Sequence, residues 1–208
     1  MGTVAGLLLA AGGGRRYGMP KALAAPDGEP LVLQSLRTLQ EAGVAPIVVV
    51  IGAAADEVRA LIAGAGQHDV ILVDNPDWES GMGSSLRAGL AALTSLAAPT
   101  SPAVDATVVL LVDTPGITPA AVARVAEIAE EGSGALAAGS YGGTQGHPVL
   151  LGRDHWAGVS EQAIEDVGAR PYLRDHASDL LLVPCDDVAD GRDIDTPYRG
   201  RHAAPDGS

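Results

Sequence analysis

Apolar runs of strand length alternate with longer segments of helical period from Val4 to about Ile128, and this rhythm constrains the fold more than any other feature of the 208-residue chain. Val4–Ala11 and Pro46–Ile51 are continuous apolar runs, the second almost wholly β-branched, as expected of strands covered on both faces. Val70–Val73 and Thr107–Val112 read as the third and fourth strands. Between the strands lie three helical stretches: Pro30–Ala42 with Leu33, Leu36 and Leu39 in register, Ala55–Ala63 with Val58, Leu61 and Ile62 on one face, and the Ala/Leu-rich Gly83–Leu96. Thr118 is placed to cap a fourth helix with Pro119 at its first position, and Val122, Val125 and Ile128 face inward. A β-α-β-α succession implies an α/β protein with a mostly parallel sheet and helices on both sides. Ligands of such sheets bind at the carboxyl ends of the strands, so the loops after Ala11, Val73 and Val112 are where chemistry is expected.

After Gly132 the rhythm changes. Ala135–Ser140, a Gly/Thr/Gln-rich turn at Gly142–Gly146 and Pro148–Leu151 predict a strand, a mobile loop and a returning strand. A short helix near Ala169–Ala177 and a strand at Leu180–Val183 follow, and no internal repeat is visible. Ala97–Ala103, rich in Ser, Thr and Pro, reads as a surface linker inside one domain of residues 1–199, and residues 200–208 as a frayed tail.

Composition narrows the function classes. Aromatics are 3% of the chain with no Phe, so the core must be built from Ala, Val, Leu and Ile, and a platform of exposed rings for stacking bases is excluded. Thirteen Lys and Arg against 26 Asp and Glu give a net charge of −13, which repels a nucleic acid or an anionic bilayer. A small phosphorylated ligand remains open, because backbone N–H groups, local cations and a metal can override the global field. A single cysteine, Cys185, allows no intrachain disulfide and fits a reducing, cytoplasmic setting. The N-terminal apolar run has no basic leader and is too short for a membrane span, so a soluble protein is expected.

Three stretches could carry chemistry. Leu9-Ala10-Ala11-Gly12-Gly13-Gly14-Arg15-Arg16 leads from a buried strand into three glycines and two arginines, with Lys21 a few residues on. Glycines let a backbone approach a phosphate and aim N–H groups at it, and the cations neutralise its charge. It is not a P-loop, since Gly18 is followed by Met19-Pro20-Lys21 and not by Lys-Ser/Thr, so the GTPase-like Asp113-Thr114-Pro115-Gly116 has no phosphate loop to serve. The dinucleotide Gly-x-Gly-x-x-Gly spacing is absent too. Asp113 closes an apolar strand at the ligand edge, and Asp195 comes from distant sequence; such carboxylate pairs hold Mg²⁺ (or Mn²⁺) on a substrate phosphate. Asn75-Pro76-Asp77-Trp78-Glu79-Ser80-Gly81-Met82-Gly83-Ser84 follows the third strand into a helix whose first turn suits an anion or a base, besides being capped. Cys185, ending a buried strand, and His68, preceding one, read as structural. His147 is the one histidine worth testing, with a structural hydrogen bond as its first reading.

Taken in order, Leu-Ala-Ala-Gly, the arginines with Gly-x-Pro-Lys, Asn-Pro-Asp-Trp-x-x-Gly-Met-Gly-Ser-Ser-Leu, Leu111–Pro115, Gly146-His147-Pro148, Gly168-Ala169-Arg170 and Asp193-Ile194-Asp195-Thr196-Pro197 resemble the nucleotidyltransferases that complete the molybdenum cofactor, in particular the cytidylyltransferase branch. The resemblance runs from about Val4 to Pro197 and implies a three-layer, Rossmann-like (GT-A-like) fold. It also implies transfer of CMP from CTP to the terminal phosphate of molybdopterin or the molybdenum cofactor, releasing pyrophosphate. By matching motif, Leu9, Ala10, Ala11, Gly12 and Gly13 would contact the nucleotide, with Arg16 and Lys21 on its phosphates and acting in catalysis. Asn75, Ser80, Gly81, Met82 and Ser84 would hold base and ribose, Asp113 and Asp195 the metal, and His147, Pro148, Gly168 and Arg170 the pterin acceptor. Ala11 stands where guanylyl-transferring relatives more often carry Gly, which leans toward CTP. Tyr17 replaces a usual Met, and Glu165-Asp166 a usual Gly-Asp.

Two other readings stay open: the same transfer with GTP or with another acceptor (a sugar phosphate, methylerythritol phosphate or phospholactate), and a non-catalytic, nucleotide-binding chaperone of a molybdoenzyme. Transient contact with a molybdoenzyme or its chaperone is a partner expectation of this resemblance.

Overall fold

The computed structural model describes residues 2–96 and 104–194, so the expected linker, the tail and Asp195 lie outside the described residues. Strands β1 (Thr3–Leu9), β2 (Ile47–Ile51), β3 (Val70–Asp74), β4 (Val104–Leu111), β5 (Leu136–Tyr141), β6 (Thr144–Gly152) and β7 (Leu181–Pro184) form one sheet in the order β3-β2-β1-β4-β6-β5-β7. β1 to β4 run parallel, β6 runs antiparallel between β4 and β5, and β7 lies parallel to β5. This is the mostly parallel α/β sheet that the alternation predicts.

The period-2 alternation of β1 sorts the core into two layers. Leu8 and Ala10 face one side, where α1 (Leu31–Glu41), α2 (Ala55–Gly64) and α4 (Pro119–Ala126) bury Leu36, Leu39, Val58, Ile62 and Val122. Leu7, Leu9 and Ala11 face the other, against α3 (Met82–Leu96), α5 (Trp156–Gln162) and α6 (Arg170–Asp175). All five residues of β2, flanked by β3 and β1, are buried, whereas edge strand β3 is half-buried. α4 begins as its sequence predicts: Ala121 N–H donates to Thr118 Oγ1 at 3.3 Å, and Pro119 occupies the first turn.

Two expectations are corrected, and one helix was not foreseen. The Gly142–Gly146 mobile loop is a two-residue hairpin turn: Gly142 and Gly143 have φ of 58° and 76°, and Thr144 already pairs with Tyr141. Two central residues with φ > 0 make the turn whose twist matches antiparallel strands, and glycine adopts it without strain. β7 is an edge strand and not a buried one, with Leu181 and Leu182 exposed and only Val183 and Cys185 turned inward. α5 went unread because only Trp156 and Val159 mark its buried side in a seven-residue helix that also contains Gly158.

The topology brings the chemistry-bearing loops to one edge. The carboxyl ends of β1 to β4 deliver the segments after Leu9, Ile51, Asp74 and Leu111. Because β6 runs the other way, with Val149 opposite Val109, its amino end carries His147 to the same edge, beside Asp113.

Candidate functional site

The three glycines after β1 serve three purposes. A Cβ on Gly12 would meet nothing within 4 Å, so this exposed residue offers open backbone. A Cβ on Gly13 would lie 2.7 Å from Trp78 Cζ3. Gly14 has φ +61°, and a Cβ there would lie 1.9 Å from the Met19 carbonyl, while its own carbonyl accepts from Gly18 N–H at 2.8 Å. That turn carries Arg16 outward and returns the chain to Lys21, the first residue of a short 3-10 turn, Lys21–Leu23. Leu9, Ala10 and Ala11 are buried, and the sheet uses the Leu9 carbonyl, the Ala10 N–H and the Ala11 carbonyl. The Ala11 methyl is turned onto Gly52, where a Cβ would lie 2.9 Å from it. Any influence of Ala11 on a ligand therefore passes through that packing.

The turn after β3 is held by its own side chains. Asn75 Nδ2 donates to Ser84 Oγ at 2.8 Å and Ser85 Oγ at 3.0 Å, its Oδ1 accepts from Asp77 N–H at 3.1 Å, and Ser84 Oγ donates to the Gly81 carbonyl at 2.8 Å. Asn75, Ser84 and Ser85 are buried, so the outward face of this turn belongs to exposed Ser80 and half-buried Gly81 and Met82. The turn packs on the loop before α6. Met82 N–H bonds Asp166 Oδ1 at 3.3 Å, and a Cβ on Gly168 (φ +54°) would lie 3.1 Å from Met82 Sδ. Glu165, where the resemblance leads one to expect Gly, has φ +45°, the left-handed conformation that glycine adopts most readily.

Lys21 and Asp113 meet across 92 residues of sequence: Lys21 Nζ donates to Asp113 Oδ2 at 2.8 Å, with side chains 15% and 22% exposed. Asp113 stands just past β4, and its backbone carbonyl accepts from Ile194 N–H at 2.8 Å. That bond anchors the chain directly before Asp195. Gln34 Nε2 reaches from α1 to the Pro115 carbonyl at 3.2 Å and steadies the same loop. A half-buried carboxylate already holding a cation is suited to positive charge, and its oxygen donors fit Mg²⁺ or Mn²⁺. Among the described residues no group of three His, Cys, Asp or Glu clusters as a metal cage. Such ions bind through one or two carboxylates plus substrate phosphates, so a cage is not required.

His147 joins this edge. Its carbonyl accepts from Tyr141 O–H at 2.8 Å, and its half-buried imidazole feels the charges of Asp113, Arg170 and Asp193. Burial, more than these charges, pushes it down to about 4 from the usual 6.5. Asp193, part of a quoted motif but given no role from sequence, is thereby found beside the site. Above about 6.5 the imidazole is neutral in the folded and unfolded chains alike. Between 6.5 and about 4 only the unfolded chain takes up the proton, so stability falls as pH falls through that window. Urea melts of the metal-free protein from pH 7 to 4.5 are expected to show this loss and His147→Gln to lessen it; equal pH slopes would contradict it.

The structure thus gathers Lys21, Asp113, His147 and Arg170 at one edge, Gly13 against Trp78, and Met82 against Gly168. An open glycine loop, a lysine–aspartate pair and the strand-end loops meet at one edge of a mostly parallel α/β sheet. The chain belongs to the family described as the MobA-like NTP transferase domain, whose model matches residues 6–186. It is 35% identical over 201 residues to nicotine blue oxidoreductase of Paenarthrobacter nicotinovorans, covering 93% of this chain and 92% of that protein. Among solved structures it is similar to Rv0371c of Mycobacterium tuberculosis H37Rv, at 23% identity and TM-score 0.74 with 94% of each chain covered. The same protein is also known in complex with manganese (23% identity, TM-score 0.68, 94% and 91% covered). A nucleotidyl transferase from Methanothermobacter thermautotroptrophicus shares the fold, at 21% identity and TM-score 0.70 with 88% of each chain covered. No helix among the described residues is long and apolar enough to cross a membrane.

Proposed function

We propose that this protein, acting in the cytoplasm as one domain, transfers CMP from CTP to the terminal phosphate of molybdopterin or its molybdenum-loaded form. The observation that carries the reading is the 2.8 Å Lys21–Asp113 pair beside the open Gly12 backbone, in a chain of the NTP transferase family. An acceptor phosphate oxygen attacks the α-phosphorus in line, the α–β phosphoanhydride breaks, and pyrophosphate leaves with the bonding pair. Both reactants are anions, so catalysis is positioning and neutralisation, with little need for a general base. Lys21 and Arg16 meet the triphosphate. Gly12 and Gly13 offer it backbone, and Ser80, Gly81 and Met82 frame the nucleoside. Asp113 and Asp195 would hold Mg²⁺ or Mn²⁺, which when bound neutralises phosphate charge. The manganese complex of Rv0371c supports a divalent ion in this role. His147 is neutral at working pH and can orient the acceptor without adding charge, while Arg170 attracts its phosphate.

Donor choice follows from Ala11. Its buried methyl lies where it would meet a Cβ on Gly52 at 2.9 Å, so it would act on the base through the loops that carry Gly12 and Gly52. A methyl-sized change in a packed pocket is worth about 1–3 kcal/mol, or roughly 10- to 200-fold in specificity. CTP is therefore expected to be preferred over GTP, and Ala11→Gly to narrow the gap without inverting it. Labelled CTP and GTP competing at equal concentration test this, with mass spectrometry of the acceptor product; GTP as the better donor would overturn the cytidylyl assignment.

A second reading is favoured by the relative named as an oxidoreductase. In it the glycine loop would hold the pyrophosphate of a reduced nicotinamide dinucleotide, whose hydride passes to an oxidised aromatic acceptor. The missing Gly-x-Gly-x-x-Gly spacing weighs against it. Oxidation of the reduced dinucleotide by nicotine blue, without pyrophosphate release, would favour it over transfer.

A further inference from the structure

Trp78 lies on the turn after β3, and glycines of two other loops pack closely against it. A Cβ on Gly52, just past β2, would lie 2.6 Å from Trp78 Cβ and 2.8 Å from its Cγ, and 2.9 Å from the Ala11 methyl. A Cβ on Gly13, in the loop after β1, would lie 2.7 Å from Cζ3 and 3.1 Å from Cη2 at the far edge of the same indole. The near end of the side chain is therefore held at Gly52 while its outer edge bears on Gly13. With Cβ and Cγ packed at Gly52 and the Cζ3–Cη2 edge packed at Gly13, the indole is contacted at both ends and spaces the Gly13 backbone from the turn that carries it. The side of the loop that Gly12 presents remains open. The base of Trp78 is fixed in turn, because the Asn75–Ser84–Ser85 hydrogen bonds hold the turn that carries it.

We propose that Trp78 is a positioning residue for nucleoside triphosphate binding, setting the Gly12–Gly13 backbone at the height that receives the nucleotide and coupling it to the turn that frames the nucleoside. The inference rests on the nucleotide reading above and deepens it. Trp78 acts through Gly13, which explains why two glycines from different loops flank one aromatic ring in a chain so poor in aromatics. A phenyl ring lacks the Cζ3–Cη2 edge and would leave a gap of about a methyl group, the same volume that Gly13→Ala adds on the other side.

The test is a double-mutant cycle read by calorimetric binding of CTP with Mg²⁺ to the whole chain, with thermal melts of every variant. Gly13→Ala and Trp78→Phe are each expected to weaken CTP binding by roughly 10-fold, as a displaced binding loop should. Together, Gly13→Ala with Trp78→Phe should return to within about three-fold of the original affinity, because the new methyl fills the gap left by the ring. A merely structural tryptophan would shift the melts and leave affinity unchanged, which would overturn the proposal. Losses in affinity that simply add in the double variant would overturn it as well. If the unaltered protein binds no nucleoside triphosphate, the nucleotide reading itself fails. If it binds one without recovery in the double variant, only the role of Trp78 fails.

Discussion

Asp113→Ala is expected to abolish nucleotidyl transfer while the protein stays folded. The side chain projects from a loop beyond β4, outside both core layers, so its removal leaves the packed sheet intact. What it takes away is the carboxylate at the edge where the loops after β1, β3 and β4 meet and, on the proposed function, the hold on a divalent ion. Loss of that charge stabilisation should lower the rate by about 10²-fold or more. It should also remove the protein's binding of Mn²⁺, followed by the free-ion resonance signal. A folded Asp113→Ala variant with near-normal turnover would remove Asp113 from the mechanism.

Lys21→Ala is the second large effect. Lys21 rests on Asp113, so it is already held at the site before any anion arrives. Negative charge grows on the departing pyrophosphate, and a cation that meets it there acts more strongly in the transition state than in the ground state. The variant should therefore lose roughly 10²-fold in kcat, with a much smaller rise in KM for the nucleotide. Steady-state kinetics with CTP varied at saturating acceptor give the split. A raised KM with kcat intact would make Lys21 an anchor for the nucleotide and no more.

The parallel half of the sheet was legible because β1, β2 and β4 contain continuous apolar runs that match their burial. β2 is apolar at every position and lies inside the sheet, and the Thr118-Pro119 cap announces α4 without reference to anything distant. What stayed hidden depends on partners far along the chain. Lys21 and Asp113 could each be singled out from local pattern, but their contact spans 92 residues and appears only once β1 and β4 lie side by side. Asn75 and Ser84 belong to a quoted motif, yet only the fold reveals that their polar groups are spent on each other. Trp78 carried no role in the sequence, because its meaning lies in two glycines from separate loops. α5 lacked a periodic face long enough to read, and β7 looked buried since its place at the sheet edge is a property of topology, not of composition.

The most direct test of the account is pyrophosphate release by the purified protein with Mg²⁺, offered each nucleoside triphosphate in turn, with and without molybdopterin. The account predicts release that requires molybdopterin, is fastest with CTP, and disappears in Asp113→Ala. No pyrophosphate from any triphosphate in the presence of the acceptor would contradict it.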